Sequence, residues 1–118
     1  MLKTFVGLSF MTLGACTGVP EVPVESAPVI SEAAHELLES GRSGEITQAE
    51  WPQTIADVLH PESIRLDEEG VRIVTWRSFV EEAGVFVPRH PQQFTPVAGH
   101  DPDYRHVALD VYTYKVKG

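Results

Sequence analysis

Ser63-Ile64-Arg65-Leu66-Asp67-Glu68-Glu69-Gly70-Val71-Arg72-Ile73-Val74-Thr75-Trp76-Arg77 decides the fold of this chain. Its first five residues alternate apolar and polar, the period of a strand with one buried face. Asp67 and Gly70 then occupy the i and i+3 positions of a type I turn. From Val71 to Arg77 the chain is rich in β-branched residues and runs back as a second strand. The stretch therefore predicts an antiparallel hairpin, and an antiparallel sheet around it.

Downstream, Val85-Phe86-Val87 predicts a third strand, entered through a turn at Glu81-Glu82-Ala83-Gly84. Glu68–Val74 and Glu81–Val87 look alike, which reads as shared turn chemistry and not as a duplicated module. His106 to Val116 predicts a single long final strand with Val107, Leu109 and Val111 on one face. Asp110, Tyr112 and Tyr114 fall on its other face, and Lys115 and Lys117 read as charges guarding a sheet edge.

Upstream, Ser31 reads as an N-cap, with Ala34, Leu37 and Leu38 as an apolar side and Gly41 as the helix stop. Thr47-Gln48-Ala49-Glu50 is a capping-box pattern, with Ile46 and Trp51 placed as a hydrophobic staple. Pro52 disfavours a helical Trp51. The expectation is a single turn at 47–50, then a helix with Pro52 at its first position and Ile55, Val58 and Leu59 buried. The fold class is α+β: two short N-terminal helices packed on a roughly four-stranded antiparallel sheet.

Before this domain lies a different kind of sequence. Phe5 to Leu13 is an uncharged apolar run behind Lys3, far shorter than the ~20 residues a spanning helix needs. Leu13-Gly14-Ala15-Cys16 closes it and resembles the lipobox of bacterial lipoprotein precursors. Over these sixteen residues the resemblance implies a signal peptide (1–15) cut before Cys16, with covalent lipid on that cysteine. By the same resemblance, the absence of Asp at position 17 implies the periplasmic face of the outer membrane in a Gram-negative cell. A Gram-positive host would hold the protein on the outer face of its single membrane. Two or more acyl chains anchor stably where one does not.

Residues 16–30 read as a lipidated, proline-rich tether. Fourteen residues of polyproline II span roughly 40 Å, enough to hold a single domain (31–118) clear of the head groups. Cys16 is the sole cysteine, so no intramolecular disulfide is available.

The chain carries 9 Lys+Arg and 17 Asp+Glu, net −8. Residues 19–69 hold twelve of the acids against Arg42 and Arg65. Such a front half excludes nucleic acid as a partner, because that affinity rests on cations neutralising phosphates. It also leaves the acyl chains as the expected sole contact with the membrane.

Catalytic templates are absent: no Gly-x-Ser-x-Gly, no phosphate loop, no His-Glu-x-x-His, and no free thiol beside Cys16. Glu68/Glu69 and Glu81/Glu82 fall in expected turns, where neighbouring side chains diverge and cannot straddle a scissile bond. One segment stands out, the connection from Pro88 to His106, because structureless connections of this length tend to be functional. His90, Phe94, His100, Asp101, Asp103 and His106 are its candidate binding-loop residues. His100, an Asp carboxylate and His106 are suitable ligands for Zn²⁺, although the spacing is generic and Pro102 stiffens the middle.

Trp76, Phe79, Phe86, Tyr112 and Tyr114 form a second candidate. They pack a core or, on the sheet face opposite the helices, mark a partner site. The function read from these features is a lipid-anchored envelope lipoprotein acting as a non-enzymatic interaction module. An envelope protein is its expected partner, and it needs no cofactor beyond the lipid. The alternatives are a small hydrolytic or metal-dependent site in 88–106, or a purely structural envelope lipoprotein.

Overall fold

A computed structural model describes residues 18–117; Cys16 and the apolar run lie outside the described residues. The fold is α+β, with two helices on one six-stranded antiparallel sheet. The strands are β1 (Gly44–Ile46), β2 (Ser63–Leu66), β3 (Gly70–Arg77), β4 (Glu81–Pro88), β5 (Asp103–Ala108) and β6 (Val111–Lys117). Their order across the sheet is β1-β2-β3-β4-β6-β5. The four strands expected from sequence become six because β1 is too short to show a period, and because His106–Val116 is a hairpin.

The β2–β3 hairpin is built as the sequence predicts. Asp67 Oδ1 accepts from the backbone N–H groups of Glu69 (2.8 Å) and Gly70 (3.1 Å), an Asx turn. Gly70 holds φ 155°, and a Cβ there would lie 2.2 Å from the Val87 carbonyl oxygen. Only glycine fits a backbone conformation that close to a neighbouring strand.

The second turn falls elsewhere than expected. Glu81–Gly84 is strand, and the chain reverses at Ser78–Val80, where the Ser78 hydroxyl accepts from the N–H groups of Val80 and Glu81. The third reversal, at Leu109-Asp110, splits the expected long strand. Leu109 takes a left-handed φ of 55° and is exposed, so it does not share a buried face with Val107 and Val111. As a result β6 lies inside the sheet between β4 and β5. Lys115 and Lys117 therefore guard no edge; Lys115 pairs with Glu81 at 3.6 Å.

Helix α1 spans Ala27–Glu39 and buries Ala27, Ile30, Ala33, Ala34, Leu37 and Leu38 on one stripe. It starts four residues before the expected N-cap. Pro28 sits in its first turn, where a missing N–H costs nothing. Ser31 is interior, and its hydroxyl donates to Asp110 Oδ1 at 2.7 Å in place of capping. Asp110 Oδ2 lies 2.7 Å from His35 Nε2, so one carboxylate pins α1 to the β5–β6 turn.

Helix α2 spans Gln53–Leu59. Pro52 precedes it in extended conformation rather than opening it, and Gln48–Glu50 forms the expected single turn. Ile55 and Leu59 are buried, whereas Val58 is 37% exposed and lies off the stripe. Both helices cover one face of the sheet, over Ile64, Leu66, Val71, Ile73, Val85, Val87 and Val111.

The proline-rich segment does not stand away from this body. Gly18 lies against the Trp76 ring, Val22 packs on the core, Val24–Ser26 forms a 3₁₀ turn, and Ala27 is fully buried. Residues 18–30 line the domain where sequence suggested a 40 Å spacer. Of their valines, Val22 packs on the core, whereas Val24 and Val29 are exposed.

Candidate functional site

Strand alternation that sends Ile64, Ile73 and Val85 toward the helices sends their neighbours to the opposite face. Pairing sets Arg65, Arg72, Phe86, Tyr112 and His106 in one row across five strands. The next row carries Gly84, Tyr114 and Tyr104. Phe94, delivered by the 3₁₀ turn Pro91–Gln93, drops onto these rows. Its ring centroid lies 5.1 Å from Phe86, 5.0 Å from Tyr104 in an edge-on arrangement, and 5.1 Å from Tyr112. Phe86 and Tyr114 are thereby buried. The aromatic face is a second, smaller core, and it is no exposed apolar patch. Trp76 and Phe79 do not belong to it: Trp76 is half-buried against Gly18, and Phe79 is fully exposed in the β3–β4 turn.

Arg72 runs through the middle of this core. Its guanidinium carbon sits 4.3 Å from the Phe86 centroid and 5.2 Å from that of Tyr114, in cation–π range. Nη2 donates to Glu69 Oε1 at 2.6 Å and to the Tyr104 hydroxyl at 3.0 Å. Burial disfavours the charge, but the bonds to Tyr104 and Glu69 and the nearby Asp67 more than offset it, and the pKa is raised. Nη1 is buried and has no partner among the described residues.

Glu82 closes the far side. Its Oε2 accepts from the Tyr114 hydroxyl at 2.7 Å and from Arg65 Nη2 at 3.0 Å. Burial pushes the carboxyl up, yet those two donors more than offset it and hold it below the usual glutamate range. For Tyr114, burial and the same carboxylate push the phenol well up, so it stays a neutral donor.

The candidate residues of 88–106 divide among different tasks. Phe94 is the plug just described. His90 lines a shallow cavity of about 230 Å³ with Glu68, Glu69 and Phe94. Asp101 Oδ1 accepts from the Lys117 backbone N–H at 2.9 Å, tying the segment to the end of β6. Asp103 accepts from Gly99 N–H (2.9 Å) and Arg105 Nε (3.0 Å); chiefly the Arg105 bond lowers its pKa. His100 shares a cleft of about 340 Å³ with Asp101 and Asp103. His106 is on the aromatic face beside Tyr112, with Nε2 2.7 Å from the Leu109 carbonyl. Among the described residues no three His, Cys, Asp or Glu side chains gather as a metal-ligand set. The set of His100, an Asp and His106 is not assembled: His106 lies three residues along β5 from Asp103, on the opposite face of the strand.

One other cluster contains a hydroxyl, a histidine and a carboxylate. In Ser31, Asp110 and His35 the carboxylate sits between the other two. The serine proton points at Asp110, so the imidazole is not in position to act as its base. The cluster is a clamp for α1.

Sequence reading did not single out Arg72. Its signal was present in the Val71-Arg72-Ile73 alternation, which puts a cation opposite the helices. The cage around it comes from β4, β5 and β6 and needs the whole topology. Comparison of the chain with family models, with curated proteins and with solved structures finds no match.

Proposed function

We propose that this chain is a bacterial envelope lipoprotein, lipidated on Cys16, whose folded domain is a non-enzymatic interaction module. The observation that carries the second half is the engagement of the 88–106 side chains. Asp101 is bonded to backbone, Asp103 to backbone and Arg105, and His106 lies against a carbonyl. These groups hold the segment in shape and do not converge on a reacting atom. A shaped, solvent-facing segment on a rigid sheet is suited to binding. The first half rests on Lys3, the short apolar run, and Leu13-Gly14-Ala15-Cys16 with its single cysteine.

Replacing Cys16 tests the reading. Cys16→Ser is expected to move the protein from the membrane fraction to the soluble fraction, with its far-ultraviolet circular dichroism and melting temperature unchanged. Intact mass of the wild-type protein should show the acyl addition. In-cell cross-linking and mass spectrometry should give one reproducible envelope partner that is lost in Cys16→Ser. Wild-type protein whose intact mass lacks the acyl addition overturns the anchor. Turnover of an ester, glycan or peptide substrate that survives clean purification overturns the non-enzymatic reading.

A further inference from the structure

The β3–β4 hairpin ends in an apolar tip with no structural use. Phe79 is 100% exposed and Val80 56%. Such a pair at a turn is costly, because turns favour polar residues and glycine, and Ser78 already supplies the local hydrogen bonds. Neither side chain is needed to close the reversal.

The start of the described chain lies at the same end of the molecule. A Cβ placed on Gly18 would come within 2.7 Å of Trp76 Cε3, so the Gly18 backbone rests on the indole. Gly18 has φ 79°, where a larger residue is strained, and this favours glycine at the contact. Trp76, near the end of β3, is three residues from Phe79 along the chain, a span of at most ~10 Å. Cys16 is two residues from Gly18, at most ~7 Å of chain. Cys16 lies outside the described residues, but Gly18, two residues after it, rests beside the base of the hairpin tip.

The polar neighbours fit a membrane surface. Arg77 closes β3 at the tip and Lys117 pairs across from Glu81. Lys117 is exposed. A tryptophan at the base, apolar residues beyond it, and paired charges to the side (Arg77 across from Glu82, Lys117 across from Glu81) form an arrangement that suits a membrane–water interface.

We propose that Ser78–Val80 is a lipid-contacting tip. Phe79 and Val80 enter the outer part of the acyl region next to the lipid chains on Cys16, with Trp76 at head-group depth. The partner is the lipid surface itself, and the proposal rests on the lipoprotein reading. It replaces the expectation that the acyl chains are the sole contact. The domain then stands on the membrane in a fixed orientation, hairpin tip down, with the β5–β6 turn at Leu109 at the far end of the sheet. The acyl chains hold the domain at short range from the surface, which makes contact by the tip more frequent.

Cys16 is acylated in the mature protein, so Phe79→Cys supplies a single free thiol for an environment-sensitive fluorophore. Leu109→Cys, also exposed, supplies the control at the other end. Full-length labelled proteins are purified from membranes and reconstituted in vesicles of phosphatidylethanolamine and phosphatidylglycerol carrying shallow nitroxide lipids. A label reaching the outer ~5–10 Å of the acyl boundary should lose about half of its emission at position 79, and almost none at position 109. Intact mass of the same samples reports the acyl chains separately. Acylated protein with no quenching at 79, or with equal quenching at both positions, overturns the tip proposal and leaves the lipoprotein reading standing. Protein without acyl mass overturns both.

Discussion

The two faces of one sheet are packed by different means. Toward the helices lie Ile64, Leu66, Ile73, Val85 and Val87, buried under Ile30, Leu37 and Ile55. Toward the other side lie Phe86, Tyr104, Tyr112 and Tyr114, with a buried arginine among them and one loop residue, Phe94, as the lid. The first face is aliphatic and closed by helices whose backbone bonds are satisfied within themselves. The second is covered by an irregular segment, whose polar atoms must find partners singly: Asp103 for Gly99, Asp101 for Lys117, Val97 for Tyr104. A face built in that way tolerates a buried cation and hydroxyls, and its lid is held by individual side-chain contacts rather than by regular secondary structure. The difference predicts that the aliphatic face carries more of the global stability than the aromatic one.

The largest effect is expected where the aliphatic face is densest. Ile73 is fully buried between the helices and the neighbouring strands. Ile73→Ala should lower the unfolding free energy by about 3–4 kcal/mol, the range for a buried isoleucine that leaves a cavity. Urea denaturation followed by circular dichroism measures it, and the loss should appear as a shifted midpoint of one cooperative transition. Phe94→Ala is the matched test on the other face. It should cost about 1–2 kcal/mol, since the ring is only half-buried and its worth is mainly aromatic contact. The sheet should stay folded, while binding of a hydrophobic dye and proteolysis within residues 89–102 increase. Equal losses in the two variants would break the comparison, because the aromatic side would then be as much a global core as the aliphatic one.

What sequence disclosed follows the same division. The β2–β3 hairpin was legible because its signals are local: alternation, an Asx turn and a glycine at the reversal. Helix α1 was found, but its start was displaced, because Ala27-Pro28-Val29-Ile30 looks like linker until Ala27 and Ile30 are seen buried. Turns that carry a single turn residue beside apolar neighbours are not legible. Ser78-Phe79-Val80 and Leu109-Asp110 each reverse the chain around one polar turn residue, and so the sequence reads β4 without its first half and β5 as continuous with β6. In the candidate segment residue type alone points to all six residues, yet their tasks depend on contacts distant in sequence. Asp101 meets Lys117, and Phe94 meets Phe86 and Tyr112. Arg72 illustrates the limit best. Alternation gives its side of the sheet, but its cage is assembled by three other strands.

The smallest expected effect concerns charge on the aromatic face. Glu82 titrates below the ordinary glutamate value of 4.5 in the folded protein, because the Tyr114 hydroxyl and Arg65 outweigh its burial. A carboxylate with a depressed folded pKa adds stability that is fully present above the unfolded value and lost as the pH falls through the folded one. Glu82→Gln keeps the shape but removes the charge, so wild type should exceed the variant by about 1 kcal/mol at neutral pH. That gap should shrink from about pH 5 downward and vanish once the wild-type carboxyl is protonated. Stability curves of the two proteins across acid pH measure it. A gap that persists unchanged at low pH would mean that Glu82 acts through packing alone. The aromatic face would then resemble the aliphatic one more closely than its buried arginine suggests.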